Sequence, residues 1–144
     1  MQTTDSMSST TETVSVDRIA IEGLEQPNIL HYFVSMNAGE FHKTAALFAA
    51  EGAMYPPFEA AVIGPDAIAA YLQAEAQGMQ LFPREAIASE LEDGLLQVQV
   101  SGRVQTPWFG VNVSWIFLLD SAGKITSATI KLLASPQELL SLRR

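Results

Sequence analysis

Cysteine is absent from the chain. That excludes disulfides, thiolate nucleophiles and cysteine-held zinc. Histidine is nearly absent. His31 and His42 are the only two in 144 residues, too few and too isolated to build a metal site alone. Positive charge is scarce as well: eight Lys and Arg stand against sixteen Asp and Glu, for a net charge of −8. The basic residues cluster only at Arg143-Arg144. A phosphate backbone calls for the opposite balance, so no nucleic-acid partner is expected. No apolar run reaches the roughly 18 residues that a membrane-spanning helix needs. The start, Met1-Gln2-Thr3-Thr4-Asp5, has neither the basic residues nor the apolar core of a secretory leader. These absences together predict a cytoplasmic protein.

What is present is apolar and patterned. Hydrophobic residues make up 48% of the chain, enough for one domain with a real core. Residues 1–15 hold almost no bulky apolar side chain and read as a disordered tail, which leaves 16–144 as the folded domain. Val14 to Ile21 alternates and fits either a short strand or an arm packed on the body. Pro27 opens a helix that Asn37-Ala38-Gly39 stops, with Ile29, Phe33 and Met36 on one face and Tyr32 beside Met36. A second helix is predicted from about Glu40 to Ala50, ended by Glu51-Gly52. A third runs from about Asp66 to Gln77, with Ile68, Tyr71, Leu72 and Ala76 as its buried stripe. Between them, Met54 to Phe58 must be extended or turning because of Pro56 and Pro57, and Val62-Ile63 is a short strand or loop.

The second half reads as strands. One region spans about Met79 to Glu90. Leu96, Val98, Val100 and Val104 then alternate with polar residues, and Gly102 allows a bulge or bend. Both tryptophans lie in the next stretch, Thr106 to Leu119. From Val111 onward the strand period sets Val111, Val113, Trp115, Phe117 and Leu119 on one face. An indole with one N–H donor in such a row suits an apolar pocket with a single polar anchor. That points to a long apolar ligand ending in a carbonyl. Asp120 to Lys124 is a hairpin turn, Ile125 to Leu133 the last strand, and Ser135-Pro136-Gln137-Glu138 a capping box opening a short terminal helix. Helices first and hairpin-linked antiparallel strands after them mean an α+β fold. Helices packed on a strongly curved, mostly antiparallel sheet enclose a cone with an apolar mouth.

Several segments together resemble a known family. They are Ile21-Glu22-Gly23, Leu30-His31-Tyr32-Phe33 with Asn37-Ala38-Gly39-Glu40-Phe41, Pro56-Pro57-Phe58, Val104-Gln105-Thr106-Pro107-Trp108-Phe109-Gly110, and Leu132 to Leu140. They are similar to the C-terminal domain of the cyanobacterial orange carotenoid protein, from about Ile19 to Arg144. The resemblance is to the stand-alone homologues of that domain. It implies a nuclear-transport-factor-2-like cone and a carotenoid carrier, not an enzyme. By resemblance, Tyr32 and Trp115 hydrogen-bond the keto oxygen of a ketocarotenoid (canthaxanthin, echinenone or 3'-hydroxyechinenone), and Pro107 and Trp108 line the tunnel. Met36, Leu81, Val104, Val113 and Phe117 are further lining candidates that suit an ordinary core equally well. The family also implies a homodimer sharing one carotenoid, transfer to helical carotenoid proteins, photoprotection by singlet-oxygen quenching, transient membrane contact for uptake, and a place peripheral to the thylakoid membrane.

The chemistry of such a site is simple. Phenol and indole are donors that stay neutral near pH 7, so a ketone is anchored without burying a charge. Each bond contributes roughly 0.5–1.5 kcal/mol net, and apolar burial at roughly 25 cal/mol per Å² supplies the rest. A C40 carotenoid is as long as a domain with a radius of gyration near 15 Å is wide, so a second copy is needed to cover it. The competing reading is a small cavity enzyme of isomerase, epoxide hydrolase or cyclase type, with His31, His42 or Asp66 as acid or base. Glu40, Glu51, Glu75, Glu85 and Asp120 read as solvated charges, and no carboxylate lies between Val98 and Leu119.

Overall fold

Proline and glycine bracket the first helix of the structure, a computed structural model that describes residues 19–133. The expected tail, residues 1–15, and the expected capping-box helix after Ser135 lie outside the described residues. Helix α1, Pro27–Ala38, starts on a proline whose missing N–H is no loss in a first turn. It ends at Gly39, which takes φ 74°. The Glu40 N–H then reaches back to the Ser35 carbonyl at 2.9 Å, which satisfies the frayed helix end. Ile29, Tyr32, Phe33 and Met36 form its buried face.

The second helix is shorter than the sequence predicts. Helix α2 covers only Phe41–Ala45, and Phe48–Tyr55 is strand β1. The spacing of Phe41, Ala45 and Phe48 imitates a helical stripe, and Phe48 does face the core, but from a strand. What decides the matter is distant in sequence. Strand β1 pairs in parallel with the last strand, with Met54 opposite Ala128 and Tyr55 opposite Thr129. Gly52 is therefore not a helix stop. It sits at a register shift in β1, where an added Cβ would lie 2.7 Å from the Ile125 carbonyl oxygen.

Strand β2 is Val62–Ile63 and helix α3 is Pro65–Glu75, with Ile68, Ala69 and Leu72 buried. Four long strands follow: β3, Gln80–Glu90; β4, Leu96–Gln105; β5, Gly110–Leu119; and β6, Ile125–Leu133. The sheet order is β2-β1-β6-β5-β4-β3. Strand β3 is an edge, so Pro83 leaves no ladder bond unmade. The irregularity expected at Gly102 lies across from it: the register slips between Pro83 and Glu85 on β3. Gly102 permits this, since a Cβ there would overlap the Phe82 carbonyl. The preceding segment joins the same edge, where the Glu22 N–H donates to the Arg84 carbonyl at 3.0 Å and Glu22 accepts from the Ala86 N–H at 2.8 Å. In the described part of the expected strand or arm, Ile19 to Gly23 is thus an arm packed on the body; residues 14–18 lie outside the described residues.

The core is an aromatic knot between α1 and β5. Phe33 packs edge-on against Trp115 at 4.8 Å, Tyr32 at 5.2 Å and Phe117 at 6.0 Å. Tyr32 meets Phe117 at 4.9 Å. Two hydrogen bonds pin the end of α1 to the start of β3. Asn37 Nδ2 donates to the Leu81 carbonyl at 2.9 Å, and the Leu81 N–H donates to Asn37 Oδ1 at 2.7 Å. At the opposite end of the molecule Asn28 donates to the Gly123 carbonyl at 2.6 Å, tying the start of α1 to the β5–β6 turn.

Candidate ligand-binding cavity

The cone closes over Phe33 and opens at the other end, where β1, β4 and β6 finish and β3 and β5 begin. An apolar cavity of about 200 Å³ lies there. Helix α1 contributes Tyr32 and Met36, and α3 contributes Tyr71, Leu72, Glu75 and Ala76. The sheet contributes Met54, Leu81, Val104, Val111, Val113, Trp115, Ile130 and Leu132. Pro56 and Pro57 in the β1–β2 loop and Thr106 and Phe109 in the β4–β5 turn complete the wall near the mouth, together with Met79.

Six of the nine expected site residues line this one space: Tyr32, Met36, Leu81, Val104, Val113 and Trp115. Phe117 does not. It shares the face of Trp115 but sits one pleat deeper, under Tyr32 and Phe33, and is fully buried. Pro107 and Trp108 do not either. Both precede the alternation of β5, in a turn that Thr106 Oγ1 organises by accepting from the Trp108 and Phe109 N–H groups at 3.2 and 3.0 Å. That turn sends Phe109 inward and leaves Trp108 85% exposed.

The polar groups of the wall are few, and two of them belong to deeply buried side chains. Tyr32 and Trp115 are 1% and 2% exposed, respectively. Neither the Tyr32 hydroxyl nor the Trp115 indole N–H has a hydrogen-bond partner among the described residues, and both side chains border the cavity. Buried donors are normally satisfied, so two side chains with unpartnered donors bordering one apolar space are unusual. Burial alone pushes the Tyr32 phenol far above its ordinary value, so it is a donor at any physiological pH.

Tyr71, read from the sequence as part of a buried helical stripe, borders the cavity as well. Burial, and after it the nearby Glu59 carboxylate with Glu75 adding to it, pushes its phenol up to about 12 from 10.0. The sign of the pH dependence follows. Between about pH 10 and about 12 the unfolded chain loses phenolic protons that the folded chain keeps, so the stability present below pH 10 is lost as pH rises. The melting midpoint is expected to be insensitive to these groups up to about pH 10 and to fall above it. Tyrosinate absorbance that is fully developed by pH 10 in the folded protein would contradict this.

The acid and base candidates of an enzyme are elsewhere. His31, His42 and Asp66 are exposed and outside the wall. Among the described residues, Glu75 is the sole carboxylate bordering the cavity, and it is exposed at the rim. No group of three or more metal-ligating side chains occurs among them. A wider groove of about 710 Å³ at the far end is edged by Glu25, Asn28, Glu90 and Asp120, and no buried donor or base faces it. Among the described residues no helix is long and apolar enough to cross a membrane.

Comparison with known proteins agrees with this architecture. The chain is 39% identical over 137 residues to the orange carotenoid-binding protein of Synechocystis sp., covering 92% of this chain and 43% of that protein. It is 39% identical over 129 residues to the orange carotenoid-binding protein of Limnospira maxima, covering 87% and 41%. The chain thus spans less than half the length of these curated relatives, matching their C-terminal portion. A solved structure of the Anabaena (Nostoc) sp. orange carotenoid protein binding canthaxanthin superposes with a TM-score of 0.78 at 42% identity, over 85% of this chain and 41% of that one. Residues 28–130 match the nuclear transport factor 2 (NTF2) domain. The resemblance and the α+β cone expected from the sequence are both borne out. Because the match runs from α1 into β6 and takes in all of the cavity wall but Leu132, the chain belongs to the nuclear transport factor 2 domain family.

Proposed function

We propose that the protein is a ketocarotenoid carrier. One observation carries the reading: two neutral, buried and unpartnered donors, Tyr32 and Trp115, border the same apolar cavity. A carbonyl oxygen has two lone pairs and accepts from both at once. Canthaxanthin, echinenone and 3'-hydroxyechinenone each offer such a carbonyl on a terminal ring. The relatives named as carotenoid-binding support the same ligand class. Among the described residues the wall has no strongly basic group and only one rim carboxylate, which favours holding a ligand over transforming it.

Size supports one mode of binding. At about 200 Å³ the cavity is smaller than the roughly 300–1,000 Å³ typical of sites that enclose a whole small molecule. It holds one ring and the first part of the chain. The remaining polyene leaves through the mouth, past Pro57 and Phe109, and a second copy of the protein covers it in the loaded form. A diketo carotenoid then presents the same anchor to each copy. Delivery to helical carotenoid proteins and quenching of singlet oxygen are the roles such a carrier serves.

Production in cells that make canthaxanthin should yield a coloured protein whose absorption is shifted to the red of the free pigment, because two donors at the carbonyl draw density along the polyene. A colourless, folded product rejects the reading.

A further inference from the structure

A ketocarotenoid ring, with its methyl groups, is broader than the flat polyene that trails from it. A mouth that fits the polyene must widen to let the ring in or out. Which wall yields follows from how each is held. The β4–β5 turn is framed from several sides. Thr106 Oγ1 accepts from two N–H groups and donates to the Phe109 carbonyl at 3.0 Å, and the Thr106 N–H donates to the same carbonyl at 2.8 Å. Helix α1 is pinned at this end by the paired bonds between Asn37 and Leu81.

The loop from β1 to β2 has no such frame among the described residues. Pro56 and Pro57, which border the cavity, have no N–H to donate. Phe58 is 93% exposed and holds φ 63°, a left-handed conformation that a bulky side chain rarely adopts. Strand pairing ties only the two ends of the loop, Met54 to Val62 and Ala53 to Ile63. The strain at Phe58 favours any motion that releases it. One polar tether holds the middle. Glu59, two residues after Pro57, lies beside the Tyr71 hydroxyl of α3, and its carboxylate accepts the phenolic hydrogen. A charged acceptor makes this bond stronger than one between neutral groups. The wall that Pro56 and Pro57 form is thereby fastened to α3 across the mouth.

We infer that Tyr71 and Glu59 govern passage of the ligand: joined, they close the Pro56-Pro57 wall over the cavity, and parted, they let the ring through. The inference deepens the proposed function and rests on it. Tyr71 is a positioning residue in this role. It acts through the loop, while the carbonyl is left to Tyr32 and Trp115. The loop closes on the empty and on the filled cavity alike, so the bond raises the barrier to entry and to exit equally. It sets how fast a ketocarotenoid is exchanged, and hardly how tightly it is held.

Release is read by mixing canthaxanthin-loaded protein with excess nonionic micelles and following loss of the red-shifted band. Tyr71→Phe and Glu59→Ala should each speed release about fivefold, and should speed loading of the empty protein by the same factor. Glu59 is not part of the cavity wall, so Glu59→Ala should leave equilibrium retention and the absorption maximum at their wild-type values. The double variant should be no faster than either single one, because both remove the same bond. Phe58→Asn suits the left-handed conformation, so it should favour the closed loop and slow both rates about threefold. The contact has its own readout in the empty protein: Glu59→Ala should move the ionisation of one phenol to lower pH. Coloured protein whose rates are unchanged by Tyr71→Phe overturns the inference and leaves the carrier reading standing. So do rate effects that multiply in the double variant, or a Glu59→Ala change in retention as large as its change in rate. Wild-type protein that takes up no canthaxanthin ends the carrier reading, and the gate with it.

Discussion

Replacing both Tyr32 and Trp115 by phenylalanine is expected to abolish the preference for canthaxanthin over β-carotene. The two pigments have nearly the same apolar area, and only canthaxanthin has carbonyls. Burial of the ring therefore contributes about equally to both, and the discrimination rests on the two donors. A ligand without an acceptor leaves the Tyr32 hydroxyl and the Trp115 N–H desolvated, at roughly 1–3 kcal/mol each. The pair together amounts to roughly 2–6 kcal/mol, or about thirty-fold to twenty-thousand-fold in relative affinity. In the double variant neither of the two deeply buried donors remains, so the ratio should fall close to unity and the red shift should vanish with it. Each single variant should keep part of both. The indole is larger than the phenyl ring that replaces it, so Trp115→Phe also leaves a void. Competitive loading of the two pigments, read alongside a melting curve, separates the effects. A double variant that still selects canthaxanthin would place the anchor elsewhere.

Phe33→Ala should have the largest effect on stability. The side chain is fully buried and meets Tyr32, Trp115 and Phe117 edge-on. Removing it costs about 3–5 kcal/mol in transfer and cavity terms, against a total stability of about 5–15 kcal/mol for a domain. At about 2–4 °C per kcal/mol for a chain of this length, the melting midpoint should fall by about 6–20 °C. The ring is also the wedge between the two anchors, so the surviving folded protein should bind ketocarotenoid more weakly and with a smaller red shift. Phe109→Ala is the contrast: Phe109 is 58% exposed at the mouth, so its loss should weaken retention with little change in melting. Equal melting midpoints for Phe33→Ala and Phe109→Ala would show that the aromatic knot is not the core.

Both predictions depend on residues whose facing direction was legible in the sequence and whose depth was not. Alternation along β5 fixed that Val111, Val113, Trp115 and Phe117 share a face. It said nothing about where the cavity ends, so Phe117 suited lining and ordinary core alike. Trp108, which the resemblance assigned to the tunnel, stands at the surface for a related reason. Its place before Phe109 reads as part of the same apolar stretch, but a side-chain hydroxyl, Thr106 Oγ1, turns the backbone so that only Phe109 faces in.

Local chemistry by itself determined a good deal. Pro27 and Gly39 delimit α1 through a missing donor and a positive φ, and the Asp120 to Lys124 turn closes on short-range hydrogen bonds. Period-two patterning identified the long strands β4 and β5, and the scarcity of cations and thiols removed whole classes of function. Only the tertiary structure decided that Phe48 to Tyr55 is a strand, because its parallel partner β6 lies far along the chain and pairing energy outweighs a weak helical pattern. It alone brought Tyr71 of α3, the Pro56-Pro57 loop and Phe109 to the space that Tyr32 and Trp115 border. A cavity is formed by elements that meet, and no single segment encodes the meeting.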